Sequence, residues 1–117
     1  MNNAINWTVD AVIKEGQQDA LMSVMHDLIA AAEQEQGTLK YDWSIADDKR
    51  TIHVKEHYQD AASAFEHLGN FGLHAERFLA AVDITKFAVY SELPKDLAEA
   101  VSGLSPVYMT PLGGLTK

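Results

Sequence analysis

The chain has 117 residues and a formal charge of −8, with 9 Lys+Arg against 17 Asp+Glu. That balance excludes nucleic-acid backbones and anionic membrane surfaces as partners, since both require clustered cations. With no cysteine, disulfides and thiolate–zinc sites are excluded too, and 47% hydrophobic residues over this length imply one globular domain, residues 1–117.

Residues 5–13, INWTVDAVI, alternate with period two: Ile5, Trp7, Val9, Ala11 and Ile13 face one way, Asn6, Thr8 and Asp10 the other. That is a strand, broken by Lys14-Glu15-Gly16. Over 17–36 the period becomes helical, with Ala20, Leu21, Val24, Met25, Leu28, Ile29 and Ala32 on one stripe. Gly37 is the expected left-handed C-terminal cap. A second strand, TLKYDWSIA, places Leu39, Tyr41, Trp43 and Ile45 on one face. The polar run 47–50 turns it into TIHVKEHY, so 38–58 form a hairpin. Asp60 is placed to cap a helix from Ala61, which Gly69 and Gly72 interrupt before a second piece from Leu73 to Val82. ITKFAVYS is the fourth strand. Pro94 opens a short helix over about 95–103. The tail VYMTPLGGLTK is extended, and Pro111 confines it to an edge.

The order β-α-β-β-α-β is the split pattern of a ferredoxin-like α+β fold with an antiparallel sheet. The amino terminus lacks a basic stretch followed by an apolar run, and no apolar segment approaches the ~20 residues that span a bilayer. A cytoplasmic protein is expected.

The chemistry concentrates in the second half of the hairpin and its helix. Strand parity sends Ile52, Val54, Glu56 and Tyr58 to one face and Thr51, His53, Lys55 and His57 to the other. Glu56 is thus one carboxylate among apolar neighbours. It is either an acid with a raised pKa or a wall residue accepting hydrogen bonds from a helix terminus or tyrosine. Metal binding is disfavoured: His53 and His57 share a face but lie ~13 Å apart along a strand. No HxH pair occurs, the one HxxxH spacing is this strand pair, and no metal is expected. His26 falls on the solvent side of its helix. His67, three residues after Ala64 and four before Phe71, borders the helix face packed on the sheet, where an imidazole near Glu56 and Tyr58 could move a proton. Trp7, Tyr41, Trp43, Tyr58, Phe65, Phe71 and Phe78 are many aromatics for a small core and suggest a pocket that stacks a flat ligand.

"GTLKYDW" at 37–43 and "HVKEHYQDAASAFEHLGNF" at 53–71 resemble the antibiotic biosynthesis monooxygenase group of the dimeric α+β barrel superfamily. The matching residues are Glu56, Tyr58, Asp60, Ala64 (or Ala61), His67 and Phe71. The resemblance implies a homodimer whose sheets face each other, with 93–117 as a helix and tail reaching the partner. It also implies a cavity between sheet and helices, and cofactor-free oxidation of a small quinol or polyphenol-like aromatic by O2. On that footing His67, Glu56 and Tyr58 are the catalytic candidates. Trp43, Tyr41, Phe71, His74 and Asn6 are the substrate-binding candidates. Two alternatives stand beside it: a non-catalytic dimeric ligand-binding or scaffold protein, and a haem-binding or haem-degrading relative. The latter use an asparagine–tryptophan–histidine set, with Asn6, Trp43 and His67 or His74 as nominal counterparts.

Overall fold

The computed structural model describes residues 3–117. Strands β1 (Ile5–Ile13), β2 (Thr38–Ile45), β3 (Thr51–Tyr58), β4 (Val82–Val89) and a short β5 (Val107–Tyr108) form one sheet in the order β2-β3-β1-β4-β5. The pairings are antiparallel except β4–β5, which is parallel. Helices α1 (Gln18–Glu33), α2 (Ala61–Gly72), α3 (Ala75–Ala81) and α4 (Lys95–Ala100) complete an α+β ferredoxin-like fold, with a 3₁₀ turn at Ser102–Leu104. Among the described residues, no helix is long and apolar enough to cross a membrane.

Strand parity decides which face is covered. Ile5, Trp7, Ala11 and Ile13 of β1 and Ile52, Val54, Glu56 and Tyr58 of β3 are buried. Their neighbours Asn6, Thr8, His53 and His57 are only half-buried. The core forms two clusters on the covered face. One gathers Leu21, Val24, Leu28, Ile52 and Phe78 under α1 and α3. The other gathers Ile5, Trp7, Tyr58, Phe87 and Leu97 near α2 and α4. The half-buried side chains flanking them, Tyr41, Trp43, Phe71 and Ile84 on one side and Val9 and Leu68 on the other, edge a gap between the clusters.

Several boundaries depart from the periodicity. α1 ends at Glu33, and Gly37 is not left-handed: among the described residues positive φ occurs only at Gly16, Lys49 and Ser105. Gly37 answers a steric demand instead. A Cβ there would lie 1.8 Å from Ser63 Oγ and 2.4 Å from Ser63 Cβ. Leu39 leaves the inner face because the β2–β3 register shifts between Thr38 and Lys40, and Ile45 is half exposed at the strand end. α2 runs through Gly69 and breaks only at Leu73–His74. β4 begins at Val82, where α3 passes directly into extended backbone. The last helix stops at Ala100.

Asp60 caps α2 as expected: Oδ1 accepts from Ser63 N at 2.9 Å and from Ser63 Oγ at 2.7 Å. The same two bonds hold Ser63 in place beneath Gly37. Gly37→Ala should therefore destabilise the fold by about 1–3 kcal/mol in urea unfolding, as overpacking does. Ser63→Gly in the same chain should recover part of that loss.

Candidate functional site

The inner face of β3 carries Glu56 into the gap. In register, Glu56 lies between Trp7 on β1 and Tyr41 on β2, so three large polar-tipped side chains form one row across the sheet. Trp7 Nε1 donates to Glu56 Oε1 at 2.9 Å, and the Tyr58 hydroxyl donates to the same oxygen. Both donors are buried, so the carboxyl group is oriented by partners that cannot swing away. Burial pushes the Glu56 carboxyl above its ordinary pKa. The His67 charge and the donors from Tyr58 and Trp7 pull it back, and Glu35 adds to the rise.

α2 brings His67 against this carboxyl. Ala64, His67 and Phe71 are spaced three and four apart, so they share the helix face that packs on the sheet. His67 is 3% exposed. Its Nε2 lies 3.4 Å from Glu56 Oε1 and its Nδ1 2.9 Å from Glu35 Oε1. Tyr41 meets the imidazole edge-on at a ring separation of 4.7 Å, and the Tyr58 ring is 5.2 Å away. Glu35, in the loop between α1 and β2, is also buried and is satisfied by further donors. Thr38 Oγ1 reaches Oε1 at 2.7 Å and Asn70 Nδ2 reaches Oε2 at 2.7 Å. Burial opposes its ionisation, but the bonds from Asn70, Thr38 and His67 outweigh this and hold its pKa below the ordinary value.

The gap is a cavity of about 80 Å³. Its wall includes Tyr41, Trp43, Glu56, His67, Phe71 and Phe78, and among the described residues no Lys or Arg. Tyr41, Trp43, Phe78 and Phe71 pack in edge-to-face succession at 5.6–5.9 Å. Trp43 Nε1 is buried and, among the described residues, makes no well-aligned hydrogen bond. It approaches the Tyr41 hydroxyl closely enough to oppose the rise in that phenol's pKa. Burial, reinforced by the Glu56 charge, raises the pKa of both Tyr41 and Tyr58, so both phenols stay protonated.

Of the residues expected from sequence, Glu56, His67, Trp43, Tyr41 and Phe71 meet in this cavity. Tyr58 stands behind them, fully buried, with its hydroxyl committed to Glu56 rather than presented in the wall. His74 is elsewhere. The break between α2 and α3 sets it at the start of α3, beside Arg77 at 3.5 Å, and it does not line the cavity. Asn6 also lies outside, because it pairs opposite His57 on the other sheet face. There it borders a shallow concavity with Thr8, Lys40, His53, Lys55 and His57. His53 Nδ1 pairs with Asp10 at 2.6 Å. Glu35, Thr38 and Asn70 were not singled out by the sequence. Glu35 falls in the polar run 33–36, where no period marks it as inward. The Trp7 contact was accessible in principle, since Trp7 shares the inner parity of its strand.

The raised Glu56 pKa has a consequence for stability. A carboxyl whose folded pKa lies above its unfolded value costs stability once pH rises past the unfolded value, because the fold must then bear the charge. Glu56→Gln keeps an acceptor for Trp7 and Tyr58 and removes that charge. Its melting temperature relative to wild type should climb as pH rises past about 4, the ordinary carboxyl range, in paired thermal melts. A constant difference would show that Glu56 ionises as freely in the fold as in water.

The sequence profile of the antibiotic biosynthesis monooxygenase family matches residues 9–83. No curated protein matches the chain. Among solved structures, MupZ from Pseudomonas fluorescens superposes with a TM-score of 0.82 at 22% identity, covering 100% of this chain and 91% of MupZ. SnoaB, a cofactor-independent oxygenase from Streptomyces nogalater, gives 0.66 at 12% identity over 80% of this chain and 96% of its own. Rv0793 from Mycobacterium tuberculosis gives 0.65 at 17% over 79% and 97%. At these identities the structural likeness is one of fold. With the profile spanning most of the chain, the protein belongs to the antibiotic biosynthesis monooxygenase family.

Proposed function

We propose that this protein is an oxygenase that oxidises a small, electron-rich aromatic, a quinol or polyphenol, with O2 and without a cofactor. The observation that carries the proposal is the meeting of a buried carboxyl, a buried imidazole and an aromatic wall in one cavity. Family membership and the fold shared with SnoaB, a cofactor-independent oxygenase, support it.

The chemistry asks little of the protein. Ionised Glu56 accepts the proton of a substrate O–H, and the electron pair stays on the substrate oxygen. The resulting anion is a strong enough reductant to pass an electron to O2, and the two radicals combine to form a C–O bond. Loss of water then leaves a hydroxyquinone. One hydroquinone and one O2 give one hydroxyquinone and one water, so every electron comes from the substrate. The cavity supplies a base and a mostly apolar wall of Tyr41, Trp43 and Phe71 against which a ring can pack. The Trp43 Nε1–H, which makes no well-aligned bond among the described residues, is a donor for a substrate oxygen.

A haem does not fit this arrangement. Both nitrogens of His67 face carboxylates, His74 stands outside the cavity, and the volume is far below that of a porphyrin.

Oxygen uptake with a panel of hydroquinones tests the assignment. His67→Ala and Glu56→Gln should each lower turnover by about 10²–10⁴-fold, the range for loss of a general acid or base. Equal rates in wild type and both variants would remove the catalytic role and leave a binding protein.

Two copies are proposed to associate through the open sheet face and the tail. Among the described residues no helix covers the face of Asn6, Thr8, Lys40, Lys55 and His57, and Tyr108, Met109, Leu112 and Leu115 expose apolar surface. Light scattering should give twice the chain mass; a monomer at micromolar concentration would refute the association.

A further inference from the structure

We propose that Glu35 is a positioning residue for catalysis, fixing His67 with its Nδ1–H directed at Glu35 and its Nε2 presented to Glu56. It also places the fixed negative charge that balances His67 when the imidazole is doubly protonated. The catalytic half of this proposal rests on the oxygenase assignment above; the tautomeric half does not.

Three observations support it. First, Glu35 is held as an acceptor. Thr38 Oγ1, Asn70 Nδ2 and His67 Nδ1 converge on its two oxygens at 2.7–2.9 Å, and a carboxylate so surrounded has no hydrogen of its own to give. The hydrogen between Glu35 and His67 therefore belongs to Nδ1. Second, the carboxylate cannot drift. Glu35 N donates to Ala32 O at 3.0 Å and Thr38 N donates to Glu35 O at 3.3 Å, so the loop is tied at its backbone as well. Third, the imidazole cannot easily turn, being buried between the rings of Tyr41 and Tyr58.

The electrostatic consequence follows from the composition of the wall. Among the described residues no Lys or Arg lines the cavity, and His67 is its one side chain able to carry positive charge. Glu56 Oε1 already accepts from Trp7 and Tyr58, which leaves Oε2 to take a substrate proton. When it does, the substrate O–H bond breaks, an O–H bond forms at Glu56, and a substrate anion remains in the cavity. A doubly protonated His67 beside that anion would offset its charge, with the Glu35 carboxylate behind the ring 2.9 Å from Nδ1. This is the division of labour seen wherever a buried carboxylate orients a catalytic imidazole. As a mere structural peg, Glu35 would tie α2 to the α1–β2 loop without affecting the chemistry.

Long-range nitrogen–proton NMR on nitrogen-15-labelled protein separates these roles, because the shifts of the two ring nitrogens report which one carries hydrogen. His67→Gln identifies the His67 signals among the five histidines. In wild type, Nδ1 of His67 should carry hydrogen in both its neutral and doubly protonated forms; a bare Nδ1 overturns the proposal. In Glu35→Ala the neutral ring should switch to the Nε2–H form, which can donate to Glu56; an unchanged ring overturns it as well. If that variant fails to fold, the wild-type spectrum still decides. Hydroquinone turnover in Glu35→Ala should fall by about 10–100-fold, in kcat rather than KM. A switched tautomer with wild-type kcat would reduce Glu35 to a peg. Absence of turnover in wild type would refute the oxygenase assignment and leave the tautomer result standing.

Discussion

The structure turns on one placement, a carboxyl group on the sheet face that must be apolar. Removing an ionisable oxygen pair from water costs several kcal/mol unless donors replace the lost solvent. Here the indole of Trp7 and the phenol of Tyr58 do so. That requirement fixes the β1–β3 register, since a slip by one residue would carry Trp7 to the open face and leave Glu56 buried without it. It also accounts for the divided core. Aliphatic side chains fill the covered face at either end. Around Glu56 they give way to aromatics and imidazole, and the packing opens into a cavity.

The second carboxylate gives the site direction. Glu35 and Glu56 flank the same imidazole but sit in unlike surroundings. Glu35 has three donors and a lowered pKa, whereas burial raises that of Glu56. Two acids pushed in opposite directions around one histidine create an asymmetry across the ring, with permanent charge on one side and an exchangeable proton on the other. Most of the charge behind the net −8 lies at the surface, while the cavity wall is mostly hydrocarbon and ring.

Much of this was legible in the sequence, for identifiable reasons. Period two on β1 and β3 sorted Trp7, Glu56 and Tyr58 onto the inner face and His53 and His57 onto the outer one. The hairpin and the Asp60 cap are local features and matched the structure closely. What escaped was non-local. Alternation places Leu39 inward because it does not announce a bulge. Gly37 reads as a helix cap because the sequence cannot show Ser63 arriving from 26 positions away. Asn6 and His74 were drawn in by family resemblance, but strand register and the α2–α3 break place them elsewhere. Glu35 was passed over because a polar helix end offers no period, and its partners come from β2 and α2.

The close approach of Gly37 to Ser63 concerns more than local packing. The loop carrying Glu35 and the helix carrying His67 are gauged against each other at the point where residue 37 has no side chain. The separation of carboxylate and imidazole is thus set where the Gly37 backbone meets the Ser63 side chain, two positions from one and four from the other. A methyl group at 37 would touch neither residue. It would act as a shim, prising apart a hydrogen bond that no substitution within the cavity had disturbed.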